Sequence, residues 1–139
     1  MLFRSKDVCE RPLVFVNLGR YGTFDKNNSV ANPEVSAFLK SMSTNFKMAI
    51  HPSYRSNDKK SELDSEVLKF KNLYGELPLQ SRQHFLRLSF PHTYQDLISV
   101  GITEDYSMGY TTHIGFRAST SFPYYLDRKS TRLNSSHRL

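Results

Sequence analysis

An α/β fold organised on a parallel sheet is what this 139-residue sequence predicts. Two observations carry that expectation. Short apolar, β-branched runs alternate with longer segments whose apolar residues recur at helical spacing, the order of successive right-handed βαβ units. Four polar runs, His51-Pro-Ser-Tyr54, Ser81-Arg-Gln-His84, Asp105-Tyr-Ser-Met-Gly-Tyr110 and Gly115-Phe-Arg-Ala118, each follow or overlap a strand-like segment. Parallel sheets and barrels assemble their sites at such strand ends.

Leu13 to Leu18 is a short β-branched run ending at Gly19, and reads as a buried strand. Arg20 to Ala31 is polar and turn-rich. Asn32-Pro33-Glu34 then supplies a capping side chain, a proline for the first helical position and an early acid. Val35, Phe38, Leu39 and Met42 follow at spacings that give one inward face. Phe46 to Ile50 is a second strand that delivers His51, and Pro52 removes the next backbone donor. After a polar loop, a helix is expected from about Ser61, with Leu63, Val67, Phe70 and Tyr74 inward and Gly75 at its end. Leu79 to Leu88 contains the third strand, on which Arg82 and His84 would share one side. Pro91 to Val100 reads as a helix with Tyr94, Leu97 and Ile98 inward. Ile102 opens the fourth strand, and Gly109 to Tyr125 is loop-like and aromatic. Element order alone leaves an open sheet and a barrel as alternatives.

The last residues do not follow this patterning. Asp127 to His137 reads DRKSTRLNSSH, which is identified, residue for residue, as the translation of a widely used short-read sequencing adapter. Residues 127–139 are therefore expected to be non-native and disordered, with the natural sequence ending near Tyr125 or Leu126. The correction matters for charge. The full chain carries 19 Lys+Arg against 13 Asp+Glu, a net +6. Without Arg128, Lys129, Arg132, Arg138 and Asp127 the balance is 15 against 12, or +3. That is ordinary for a domain of this size and argues against a nucleic-acid partner. No stretch approaches the apolar length of a membrane span. Cys9 is alone, which excludes an intrachain disulfide and a Cys metal cluster. No Gly-rich phosphate fingerprint follows any strand.

Five collinear segments, His51 to Ser56, Ser81 to Leu88, Phe90 to Leu97, Gly101 to Tyr110 and Gly115 to Ala118, resemble the divergent bacterial polysaccharide deacetylases with HPSY, SRQHFL, DYSMGY and GFRA motifs. The resemblance covers Val14 through Leu126, so residues 1–126 are expected to be a partial domain of that type. It implies an irregular (β/α) barrel and removal of acetyl groups from an N-acetylated glycan. It also implies a divalent metal, usually zinc, that activates water and polarises the acetyl carbonyl.

Carried over by resemblance, His51 is the metal-ligand candidate, and its competing role is a structural histidine. Arg82 takes the catalytic role of ordering a carboxylate, and His84 a supporting one; an ion pair on a partly solvated strand face is the competing reading. Tyr54, Asp105, Tyr106 and Arg117 are substrate-binding candidates. For Asp105 and Tyr106 the alternative is a turn cap and a packing aromatic. The sequence also departs from the family. Lys47 stands four residues before His51-Pro52, where the family places a partner ligand, and Ser119 replaces a usual glycine. Asp7 and Glu10 do not reproduce the acidic motif expected before Leu13. The expectation is a deacetylase-like hydrolase that is inactive in this form. The alternative is a metal-free relative that binds carbohydrate.

Overall fold

The computed structural model describes residues 11–125. Asp7, Cys9, Glu10 and the adapter-like segment 127–139 lie outside the described residues. The described residues form four strands and three α-helices: β1 (Leu13–Val16), α1 (Pro33–Met42), β2 (Lys47–Ile50), α2 (Lys60–Tyr74), β3 (Gln80–Ser81), α3 (His92–Ser99) and β4 (Glu104–Asp105). Every strand pairing is parallel, and the sheet order is β1-β2-β3-β4.

Local chemistry explains the boundaries. Asn32 caps α1, its Oδ1 accepting from the Glu34 amide at 2.9 Å, with Pro33 in the first turn. Gly75 closes α2 with φ of 82°, a conformation that costs a residue with Cβ. Val16, Ile50, Ser81 and Asp105 lie in one register row. Val16 and Ile50 join Leu63, Val67 and Phe70 of α2 and Tyr94 and Leu97 of α3 in a single buried cluster, against which Leu39 of α1 packs. All three helices therefore contribute to the core on the same face of the sheet. Tyr74 lies at its edge, and burial pushes its hydroxyl pKa up to about 12.

Three expectations are corrected. Phe38 is 63% exposed rather than inward; the inner side of α1 is carried by half-buried Val35, Leu39 and Met42. The third strand is only Gln80–Ser81, although the Arg82 and His84 amides still bond the Ile50 and Pro52 carbonyls at 3.1 Å. The chain then turns sharply because Phe85 and Leu86 adopt φ of 56° and 51°. The fourth strand likewise begins at Glu104 rather than Ile102, whose side chain instead fills the core. No helix among the described residues is long and apolar enough to cross a membrane.

The turn after β1 packs tightly on the loop after β2. A Cβ at Gly19 would collide with the Ser53 Cβ and lie 3.1 Å from Asn17 Oδ1. Gly19→Ala is therefore expected to destabilise the fold by about 1–3 kcal/mol, read as a lower urea midpoint with an unchanged slope.

Candidate functional site

One residue beyond the register row stand Asn17, His51, Arg82 and Tyr106, at the carboxyl ends of the four strands. Alternation along a strand sends this row to the face opposite Val16 and Ile50. The Tyr106 ring meets Phe15 edge-on at 5.6 Å on that face. An open cleft of about 370 Å³ is lined there by Phe15, His51, Arg82, Gln83, Phe85 and Leu86.

His51 and His84 form the polar centre. His51 Nε2 lies 2.9 Å from His84 Nδ1, and His84 Nε2 lies 2.9 Å from the Phe24 carbonyl oxygen. A carbonyl only accepts, so His84 donates from Nε2. In the neutral pair His51 then donates from Nε2, which leaves a lone pair on His51 Nδ1. That atom is buried and has no formed hydrogen-bond partner. Burial pushes the His51 pKa down, the nearby His84 pushes it further, and the main chain of Arg82, though short of a hydrogen bond, offsets part of this. His51 is thus held as a neutral imidazole.

Asp25 anchors this centre and is a residue that sequence reasoning missed. It is 3% exposed and accepts from Asn17 Nδ2 at 2.8 Å and from the Tyr54 amide at 3.2 Å, with Oδ1 3.8 Å from His84 Nε2. It sits in the turn-rich Arg20 to Ala31 segment, where composition offers no period. Its one signal is an acid beside an aromatic, Phe24-Asp25, inside a loop that must return to the sheet.

Aromatic packing fixes the surrounding loops. Phe24 and Tyr54 stack at 4.1 Å, and Phe85 stands edge-on to both. The Arg87 guanidinium lies 4.0 Å above Tyr54 and pairs with Asp58. Tyr54 is therefore held between two neighbours, and its ring is a structural element of the cleft wall. Below it, Glu66 of α2 is 1% exposed and accepts from the Ser53 amide at 3.0 Å and the Ser53 hydroxyl at 2.5 Å. Burial raises its carboxyl pKa, and the Ser53 donors partly oppose this.

Asp105 does not face the cleft. Its Oδ1 accepts from the Ser81 and Ser107 hydroxyls at 2.7 and 2.8 Å, and its Oδ2 from the Ser107 amide and the Tyr94 hydroxyl at 3.0 and 3.2 Å. Four donors occupy its lone-pair positions, so its place is a clasp between the sheet and α3. Burial, then the nearby Asp105 carboxylate, raises the Tyr94 pKa. Asp105→Asn turns an amide NH₂ toward one of these donors and is expected to cost about 1–3 kcal/mol, measured by thermal unfolding. Arg117 is likewise outside the histidine centre: it donates to the Leu86 carbonyl at 3.1 Å and braces the turn behind the cleft. Tyr106 borders the cleft through Phe15, and its hydroxyl donates to Glu104 at 3.1 Å.

The arrangement does not fit the metal that the resemblance implies. Two imidazole nitrogens on one tetrahedral zinc, each at about 2.0–2.1 Å, stand about 3.3 Å apart. His51 and His84 meet instead at hydrogen-bond distance. No group of three His, Cys, Asp or Glu side chains suited to a metal occurs among the described residues. Lys47 pairs with Leu13 at the opposite end of β2, about 13 Å along the strand from His51. Arg82 also lacks the carboxylate it is expected to order: its exposed guanidinium makes no hydrogen bond or ion pair among the described residues. Compared with protein-family models, curated proteins and solved structures, the chain matches none.

Proposed function

We propose that this chain is a carbohydrate-directed domain of the polysaccharide-deacetylase type, and that its site for an N-acetylated glycan is the cleft at the carboxyl ends of the strands. The observation that carries the reading is convergence. The HPSY run supplies His51 and Tyr54, and the SRQHFL run supplies Arg82, Gln83, His84 and Phe85; the two runs are 26 residues apart in sequence, yet their histidines meet at 2.9 Å beside an aromatic-walled cleft. Exposed aromatic faces beside hydrogen-bonding groups suit a sugar, which has an apolar face and a polar rim.

Winding supports the barrel component of the proposal. Doubly wound open sheets reverse their strand order at a switch point, whereas β1-β2-β3-β4 is unreversed and its helices share one face. Parallel sheets are ordinarily covered on both faces, and closure into a (β/α) barrel would cover the second with side chains of further strands.

Hydrolysis in this reading requires further groups that complete a zinc-type centre. The binding-only alternative is favoured by the His51–His84 hydrogen bond. Isothermal titration with an N-acetylglucosamine tetramer tests the common element of both. Binding that is lost in Phe85→Ala and absent for a glucose tetramer is expected; no heat of binding from either sugar would refute the proposal.

A further inference from the structure

The cleft carries more polarity than a neutral sugar requires, and its pattern is specific. Gln83 is 2% exposed, yet its side-chain Oε1 is buried without a partner while the residue lines the cleft. His51 Nδ1 is a second buried atom without a formed partner at the same wall. Native proteins seldom leave such atoms unpaired, because each costs about 1–3 kcal/mol. Two acceptors within one cleft point to a ligand that offers hydroxyl or amide donors. Beside them Arg82 places a guanidinium whose charge no described acid neutralises. Phe15 and Phe85 complete the lining with two aromatic rings.

Resting on the carbohydrate reading, we infer that the cleft takes an acidic sugar: a glycan unit whose carboxylate pairs with Arg82 and whose hydroxyl or amide hydrogens satisfy Gln83 and His51. The planar fork of arginine matches a carboxylate in two parallel hydrogen bonds, which a neutral hydroxymethyl group cannot supply. Donors to Gln83 and His51 come from any pyranose, so these contacts fix orientation while Arg82 sets the charge preference. The strained Phe85–Leu86 turn, with both residues at positive φ, holds the aromatic wall against this group; backbone strain of this kind concentrates at ligand clamps.

The test compares an oligosaccharide alternating glucuronic acid and N-acetylglucosamine with an N-acetylglucosamine oligomer of equal length, by amide chemical-shift titration of the full chain. The acidic oligomer is expected to bind about tenfold more tightly at low ionic strength, with the preference shrinking as salt is added. In Arg82→Gln the ratio of the two affinities is expected to fall to about one, and in Arg82→Lys to recover only in part. Lys71→Gln removes an exposed charge from α2, outside the cleft, and is expected to keep the wild-type ratio. Equal binding of both oligomers to the wild-type chain would overturn the acidic-sugar inference and leave the carbohydrate reading standing. Binding of neither would overturn both. A preference that persists in Arg82→Gln, or free acetate competing as well as the acidic oligomer, would also overturn the inference.

Discussion

Glu66→Ala is expected to lower the stability of this domain by about 3 kcal/mol or more, a large share of the 5–15 kcal/mol typical of a domain. Two losses combine. The Ser53 amide and hydroxyl lose a buried acceptor, and a void opens between α2 and the loop that follows β2. That loop begins at His51, so the cost falls on the element that shapes the cleft. Glu66→Gln keeps one acceptor, and the Ser53 hydroxyl can turn to accept from the new NH₂; it is expected to stay within about 1 kcal/mol of wild type. The pH dependence follows from the direction of the shift. Burial raises the folded-state carboxyl pKa above its ordinary 4.5, with Asp25 adding to the rise and Lys69 opposing it. The stability attached to the protonated group is complete below 4.5 and is lost as pH rises through the folded value. Urea unfolding across pH 4–8 is therefore expected to show a downward slope from Glu66 that vanishes in Glu66→Gln. A wild-type midpoint in Glu66→Ala would show that the carboxylate does not hold the loop.

The second large effect is an absence of turnover. With zinc supplied, this chain is expected to release no measurable acetate from N-acetylglucosamine oligomers. His51 Nε2 is committed to His84, and Asp25 is committed to Asn17 and the Tyr54 amide. These two do not make up a three-ligand metal centre, and among the described residues no carboxylate stands in the cleft lining as a base. Loss of a general base alone forfeits about 10²- to 10⁴-fold in rate, and loss of the metal more. Zinc-dependent acetate release that disappears in His51→Ala would contradict this and show that the histidine pair separates to bind metal.

The parallel sheet was legible in the sequence because its signals are local. The Leu13 to Leu18 run, the Asn32-Pro33 cap and Gly75 each act through their own backbone, so they read correctly without a tertiary context. Phe38 misled because helical spacing marks a face approximately 100° wide and says nothing of whether the neighbouring layer reaches its flank. The third strand was shortened by the positive φ of Phe85 and Leu86, which neither residue type advertises. In the site, the sequence marks both His51 and His84, but as ligand and support. Their mutual hydrogen bond depends on two strands being neighbours in register, which no spacing within the chain encodes. Asp105 stands at a strand end, yet alternation turns it to the helix side, where Tyr94, Ser81 and Ser107 claim it. Asp25 was invisible because its partners lie 8, 29 and 59 residues away in sequence.

The location of a bound glycan tests the account most directly. Amide shifts recorded while an N-acetylglucosamine tetramer is added are expected to concentrate at Phe15, His51 and Arg82 through Leu86, around the cleft on the face of the sheet opposite α1, α2 and α3. A second groove of comparable size lies between β1 and α1, lined by Val16, Asn27, Val35, Phe38 and Leu39 among others. Shifts confined to that groove, with His51 and Arg82 unmoved, would contradict the assignment of the strand-end cleft as the carbohydrate site.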